Sequence, residues 1–285
     1  MTAAVGGQDR PVPLLFEELT RVEMREIAPS ALAVLPVGAT EQHGPHLPSG
    51  TDAMHAEYVA RAAAARIAAQ TPVVVTPTLA FGSSPHHLPF GATLSLTSQT
   101  FSSVLHDLCI SLMGAGFRQI FILNGHGGNH ELIQIAARDF ALAHPVSVGA
   151  GSWWSIAWAA LTAAGACEVG RLPGHAGAFE SSVVLALRPE LVHEPRPHRD
   201  QFPVSDPRGF AAAYRTETPD AWLRIDGYSD SPDRGTAELG LRYLNLAVEA
   251  VASALLEFAQ ATRDAGAHAS GQPHEPGSTL HREDR

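Results

Sequence analysis

Glu41 and His43 stand two residues apart in the run Gly38-Ala39-Thr40-Glu41-Gln42-His43-Gly44-Pro45-His46-Leu47-Pro48. A carboxylate oxygen and an imidazole nitrogen are the donors that a divalent cation takes. In extended backbone, residues two apart share a face, so Glu41 and His43 aim at one point while Gln42 faces away. The glycines and prolines around them force a turn, and such a turn can return Asp52, at the start of the next helix, to the same point. Together these three residues describe a hard-to-borderline metal site whose chemistry would be activation of bound water.

Three further segments could join it. Ile122-Leu123-Asn124-Gly125-His126-Gly127-Gly128-Asn129 closes an apolar run and puts His126 just past it. Gly174-His175-Ala176-Gly177-Ala178-Phe179-Glu180-Ser181-Ser182 sets a glycine-flanked histidine five residues before a carboxylate, a way of placing a proton-transfer group beside a metal. Taken singly, His126 reads equally as a helix cap, and Glu180 as an acid favoured by a helix dipole. His86 and His87 point in different directions if extended, so at most one faces the crevice; their loop reads as wall and substrate contact.

These residues need a frame. Short apolar runs over 31–37, 73–79, 119–123 and 146–150 read as buried strands. Helical patterns over 54–69, 100–113 and 131–142 lie between them, with a short helix at 183–187. Alternation of this kind predicts right-handed βαβ units and a three-layer α/β/α fold with a mainly parallel sheet. In such sheets the ligand crevice lies beyond the carboxyl ends of the strands, where His126 falls. Residues 196–232, rich in proline and polar groups, read as a surface excursion, and a long helix over 237–263 closes the domain. Residues 1–12 and 266–285 read as flexible ends around a single domain, 13–265.

The 285 residues carry 19 basic and 29 acidic side chains, a net charge of −10. No basic stripe is present for nucleic acid. No uninterrupted apolar run approaches the roughly 20 residues of a bilayer span, and the start MTAAVGGQDR lacks the regions of a signal peptide, so a cytoplasmic protein is expected. The two cysteines, Cys109 and Cys167, form no disulfide framework. The count that stands out is fifteen histidines, several beside carboxylates or glycines.

In PVGATEQHGPHLP with Asp52, LPFGATLSL, NGHGGN and GHAGAFESS, the sequence resembles the creatininase (creatinine amidohydrolase) family over about residues 32–192. The resemblance implies a creatininase-like fold, a ring-shaped homo-oligomer (typically a hexamer), and hydrolysis of a C–N amide bond in a small-molecule substrate. It further implies two divalent ions per chain, zinc first, with manganese or iron as alternatives. Glu41 and His43 would each bind one ion, Asp52 would bridge, His126 would complete the first site, and His175 would carry the proton. Two departures matter. The family glutamate two residues after the histidine of NGH is Gly128 here, which leaves Glu180 or water to complete the second site. The tryptophan that covers the substrate ring shortly before GH is absent from residues 169–173, which argues against creatinine itself; Trp153 or Trp154 would match the family's other tryptophan.

His175, with Glu180 to orient it, is thus the expected proton carrier to the leaving nitrogen. A formamide hydrolase or a peptidase of cofactor synthesis is the alternative within the family. Outside it, a serine nucleophile lacks the GxSxG elbow, and Gly149-Ala150-Gly151 lacks the third glycine of a dinucleotide fingerprint. A non-enzymatic metal-containing binding module would need a closed coordination shell, whereas these ligands sit on open glycine-rich loops.

Overall fold

The computed structural model describes residues 13–200 and 218–269. Its strands are β1 (Leu14–Leu15), β2 (Leu32–Val37), β3 (Val73–Val75), β4 (Gln119–Asn124) and β5 (Ser147–Ser152). Helices α1 (Arg21–Ile27), α2 (Thr51–Ile67), α3 (Ser98–Ala115), α4 (His130–Ala143), α5 (Trp153–Ile156), α6 (Trp158–Ala163), α7 (Ala166–Val169), α8 (Ala178–Leu187), α9 (Ala221–Arg224) and α10 (Ala237–Ala269) surround them. All strands are parallel, in the order β1-β3-β2-β4-β5.

Alternation along the central strands makes the three layers. Leu32, Val34, Phe121 and Leu123 enter one core with Val59, Ala63 and Ile67 of α2 and Tyr243, Val251 and Leu255 of α10. Ala33, Leu35, Ile120 and Ile122 enter the other with Phe101 and Leu105 of α3 and Ile133 and Phe140 of α4. Each fully buried large apolar side chain contributes about 1.5–3 kcal/mol. Strands buried on both faces must be apolar throughout, which is why the α/β/α expectation holds.

Several boundaries moved for physical reasons. Pro77 cannot donate to a ladder, so β3 stops at Val75, short of the expected run to 79. The edge strand β1 is two residues long, too short for a period-2 pattern to announce it. Helix α8 begins at Ala178, so Glu180 lies inside its first turn and not ahead of it. Helix α10 runs on to Ala269; residues 1–12, 201–217 and 270–285, which include most of the ends read as flexible, lie outside the described residues. By length and composition α10 could cross a bilayer over Ala237–Arg263, but its buried Tyr243, Leu244, Ala247, Val251 and Leu255 make it a core helix.

Candidate metal centre

Val37, Asn124 and Ser152 sit in register at the carboxyl ends of β2, β4 and β5, so the loops that follow leave from one edge of the sheet. The loop after β2 folds back on itself. Glu41 N donates to Ser49 O at 2.9 Å, and Thr51 Oγ1 donates to Pro48 O at 2.7 Å, which starts α2 with Asp52 in its first turn. The dipole at that helix start favours the Asp52 charge. Asn124 pins the turn after β4 through His126 N to Asn124 Oδ1 (3.0 Å) and Asn124 Nδ2 to His126 O (2.6 Å). Asn129 joins three loops, accepting from Ser83 N at 2.9 Å and donating to Gly38 O at 3.0 Å.

The expected residues meet. Asp52 Oδ2 is 2.9 Å from His126 Nδ1, and Asp52 Oδ1 is 3.2 Å from His43 Nε2. Glu41 Oε1 is 3.2 Å from His126 Nδ1 and 3.5 Å from His175 Nδ1. Glu180 Oε2 is 3.7 Å from His43 Nε2. All six residues are buried. Ligand atoms of Glu41, Asp52 and His126 lie within 4.8 Å of one another, as do those of His43, His175 and Glu180.

Hydrogen bonds to carbonyls fix three of the rings, because a carbonyl only accepts. His43 Nδ1 donates to Glu41 O (3.1 Å), His126 Nε2 to Ser83 O (3.1 Å) and His175 Nε2 to Gln42 O (2.9 Å). In its neutral form each ring therefore turns the opposite nitrogen toward the carboxylates with a lone pair, the arrangement in which outer partners hold a metal-binding imidazole. Among the described residues none hydrogen-bonds Glu41 Oε1, Glu41 Oε2 or Asp52 Oδ2, although all three are buried. Buried, unpartnered carboxylate oxygens opposite imidazole lone pairs are a donor set that a divalent cation satisfies.

The electrostatics agree. Burial disfavours charge on His43 and His126, but the surrounding carboxylates overcome it: Asp52 foremost lifts His43 to about 10, and Glu41 with Asp52 lifts His126 well above its usual value. Burial would raise Asp52, yet His43 and His126 hold it below the ordinary carboxylate range. Burial pushes Glu180 up to about 8 against the pull of His43. With protein groups alone the cluster therefore draws positive charge in the form of protons. His175 goes the other way, held well below 6.5 by burial and by the neighbouring His87, His43 and His126.

Some expectations need correction. Gln42 does not face away. The backbone at 40–47 is an irregular turn, not extended strand, and Gln42 Nε2 lies 2.8 Å from His87 Nδ1 and 3.0 Å from His175 Nε2. Glu180 does not orient His175; its Oε2 accepts from Ala176 N at 2.6 Å, and Gln42 O holds the ring. His87 is buried, with Nε2 3.6 Å from Glu41 Oε1, whereas His86 is half-buried. Trp153 and Trp154 are packed in the core. The aromatic wall comes instead from Trp222, in the excursion read as surface, whose ring lies 4.9 Å from His87 and 5.1 Å from His175. That excursion also threads the interior: buried Asp230 accepts from Ala178 N at 2.7 Å and Arg171 N at 3.1 Å. A Cβ at Gly128 would lie 2.4 Å from Ser83 O and 2.5 Å from His126 Nε2, so no side chain fits there in this arrangement.

A cleft of about 260 Å³ borders the centre and is lined by Gln42, His43, Leu47, Phe90 and Asp226 among others. It admits a small ligand or one side chain of a larger one.

A family model described as Creatininase, creatinine amidohydrolase, matches residues 17–255. The mycofactocin precursor peptide peptidase of Mycobacterium ulcerans is 34% identical over 190 residues, 64% of this chain and 69% of that protein. The creatinine amidohydrolase of Pseudomonas putida is 30% identical over 260 residues, 82% of this chain and 92% of that one. A mutant creatininase of zinc–zinc type superposes with a TM-score of 0.70 at 27% identity, covering 85% of this chain and 97% of that chain. A manganese creatininase superposes at 0.64 and 27%, covering 86% and 98%.

Proposed function

The chain belongs to the creatininase family of hydrolases, and from that premise we propose that it cleaves the C–N bond of a small non-peptide amide other than creatinine. The observation that carries the proposal is the set of buried carboxylate oxygens on Glu41 and Asp52 that no described residue hydrogen-bonds, opposite the inward nitrogens of His126 and His175.

Glu41, Asp52 and His126 would hold one divalent ion, and His43, Asp52 and Glu180 a second, with Asp52 shared because each of its oxygens faces a different ring. Such ions lower the pKa of water from 15.7 to about 7 and polarise a carbonyl. Neutral His175 would take a proton at Nδ1 from the water whose oxygen bonds to the amide carbon, and pass it to the amide nitrogen as the C–N bond breaks, leaving a carboxylic acid and an amine. Gln42 O holds the opposite nitrogen, so the accepting lone pair stays aimed at the centre. Imidazole and carboxylate donors suit zinc, which we take first, and manganese.

The missing tryptophan at 169–173, with Trp222 arriving from another segment, supports a substrate shaped differently from creatinine. Likeness to a precursor-peptide peptidase supports a second reading, a short peptide amide. We further propose a homo-oligomer, which light scattering of the purified chain tests, and a cytoplasmic location, which fractionation of cells tests. Function is tested by a hydrolysis screen over creatinine, N-formyl amines and short peptides, before and after chelation. The expected result is turnover of a non-peptide amide that chelation abolishes and zinc or manganese restores. Turnover of peptides alone would transfer the assignment to the second reading.

A further inference from the structure

His87 has the position of a metal ligand and the wrong proton. Its Nε2 lies 3.6 Å from Glu41 Oε1, and Glu41, His87 and His175 bring ligand atoms within 4.8 Å of one another. What decides its role is Gln42. The Gln42 amide is fixed end for end: Oε1 accepts from Gly44 N at 2.9 Å, and Nε2 donates to Gly227 O at 2.9 Å. An amide nitrogen cannot accept. At 2.8 Å from His87 Nδ1, Gln42 Nε2 is therefore the donor and the ring nitrogen the acceptor. The neutral ring then carries its hydrogen on Nε2, the nitrogen that faces the centre.

This inverts the pattern of the other three rings, each of which spends its hydrogen on an outer carbonyl and turns a lone pair inward. At 3.6 Å, the separation from Glu41 Oε1 exceeds hydrogen-bond reach, so Glu41 does not hold the His87 N–H. The ring itself is immobilised, stacked on His175 at 4.2 Å with 16° between planes and flanked by Trp222 at 4.9 Å.

We propose that His87 is no metal ligand but a catalytic hydrogen-bond donor, presenting Nε2–H to the amide carbonyl oxygen and holding that oxygen as it becomes an oxyanion. The substrate half of this inference rests on the hydrolase assignment above; the ring's tautomer does not. No proton leaves His87 in the step. Its N–H is a preorganised dipole that strengthens its bond as negative charge grows on the oxygen.

The test uses zinc-loaded, ¹⁵N-labelled full-length protein and long-range ¹H–¹⁵N spectra of the histidine rings, with His87→Gln identifying the signals. Expected is a protonated Nε2 and an unprotonated Nδ1; protonation at Nδ1 overturns the proposal. Zinc counted by elemental analysis should be equal in wild type, His87→Ala and His87→Gln, and loss of an ion in either variant overturns it. With the amide found in the screen, His87→Ala should lower kcat roughly 10²–10³-fold, and His87→Gln, which keeps an N–H, should recover part of that. Unchanged turnover in His87→Ala also overturns it. If no amide is hydrolysed by any preparation, the hydrolase assignment fails, while spectra and zinc count still decide whether His87 is donor or ligand. Should His87→Ala fail to fold, His87→Gln carries both measurements.

Discussion

Asp52 Oδ2 lies 2.9 Å from His126 Nδ1, and each atom brings a lone pair to the contact, since His126 spends its Nε2–H on Ser83 O. Two acceptors at that distance require a cation or a proton between them. Asp52→Asn keeps the shape and removes the charge. Replacing even an outer partner of a metal ligand costs 10–100-fold in affinity, so this variant should bind zinc more than about 10²-fold more weakly. Calorimetric titration with zinc checks it; wild-type affinity in the variant would remove Asp52 from the centre.

Among the described residues no carboxylate comes closer to His175 than Glu41 at 3.5 Å, and the ring is held at Nε2 by Gln42 O, which suits a proton carrier better than a ligand. His175→Ala should lower kcat on the order of 10²- to 10⁴-fold while zinc content stays at the wild-type value. Elemental analysis beside steady-state kinetics reads both, and a loss of zinc would make His175 a ligand.

Gly128 marks where packing excludes a side chain. Its would-be Cβ meets Ser83 O and His126 Nε2, the two atoms that fix the His126 ring. Gly128→Ala should cost about 1–3 kcal/mol through overpacking, a fall in melting midpoint of roughly 2–10 °C for a domain of this size. An unchanged midpoint would show that the loop relaxes freely.

Stability of the chelated protein should depend on pH in a defined way. Burial tends to push His43 down, but Asp52 and the other carboxylates lift it to about 10, so its contribution is full below pH 6.5 and lost as pH rises through about 10. Burial of Glu180 acts in the same sense, with its contribution lost as pH rises from 4.5 through about 8. Burial pushes His87 and His55 down to about 3 and His46 to about 4, so below pH 6.5 the unfolded chain binds protons that the folded one refuses. Melting in chelator should therefore peak near pH 6.5 and decline toward both pH 4 and pH 9. A midpoint still climbing at pH 9 would contradict it.

What was legible in the sequence follows from range. Strands buried on both faces must be apolar throughout, so β2 and β4 announced themselves, and their carboxyl ends placed His126. Glu41, His43 and Asp52 converge because a turn rich in glycine and proline returns the chain within a dozen residues. Strand alternation ends with β2 at Val37, so it does not govern Gln42, whose side chain turns inward with the loop. Trp222 was invisible because nothing local marks it: it sits in a four-residue helix within a proline-rich stretch, and only tertiary packing brings it to His87 and His175. His87 carried a local signal in the His86-His87 pair, but its role depends on Gln42, 45 residues away.

The most direct test of the account is the metal content of the purified chain, measured by elemental analysis before and after exhaustive chelation and compared with Glu41→Gln. Two divalent ions per chain are expected in the wild type, fewer in Glu41→Gln, and loss of amide hydrolysis on chelation with the far-ultraviolet circular dichroism unchanged. Full hydrolytic activity in protein stripped of divalent ions would contradict it.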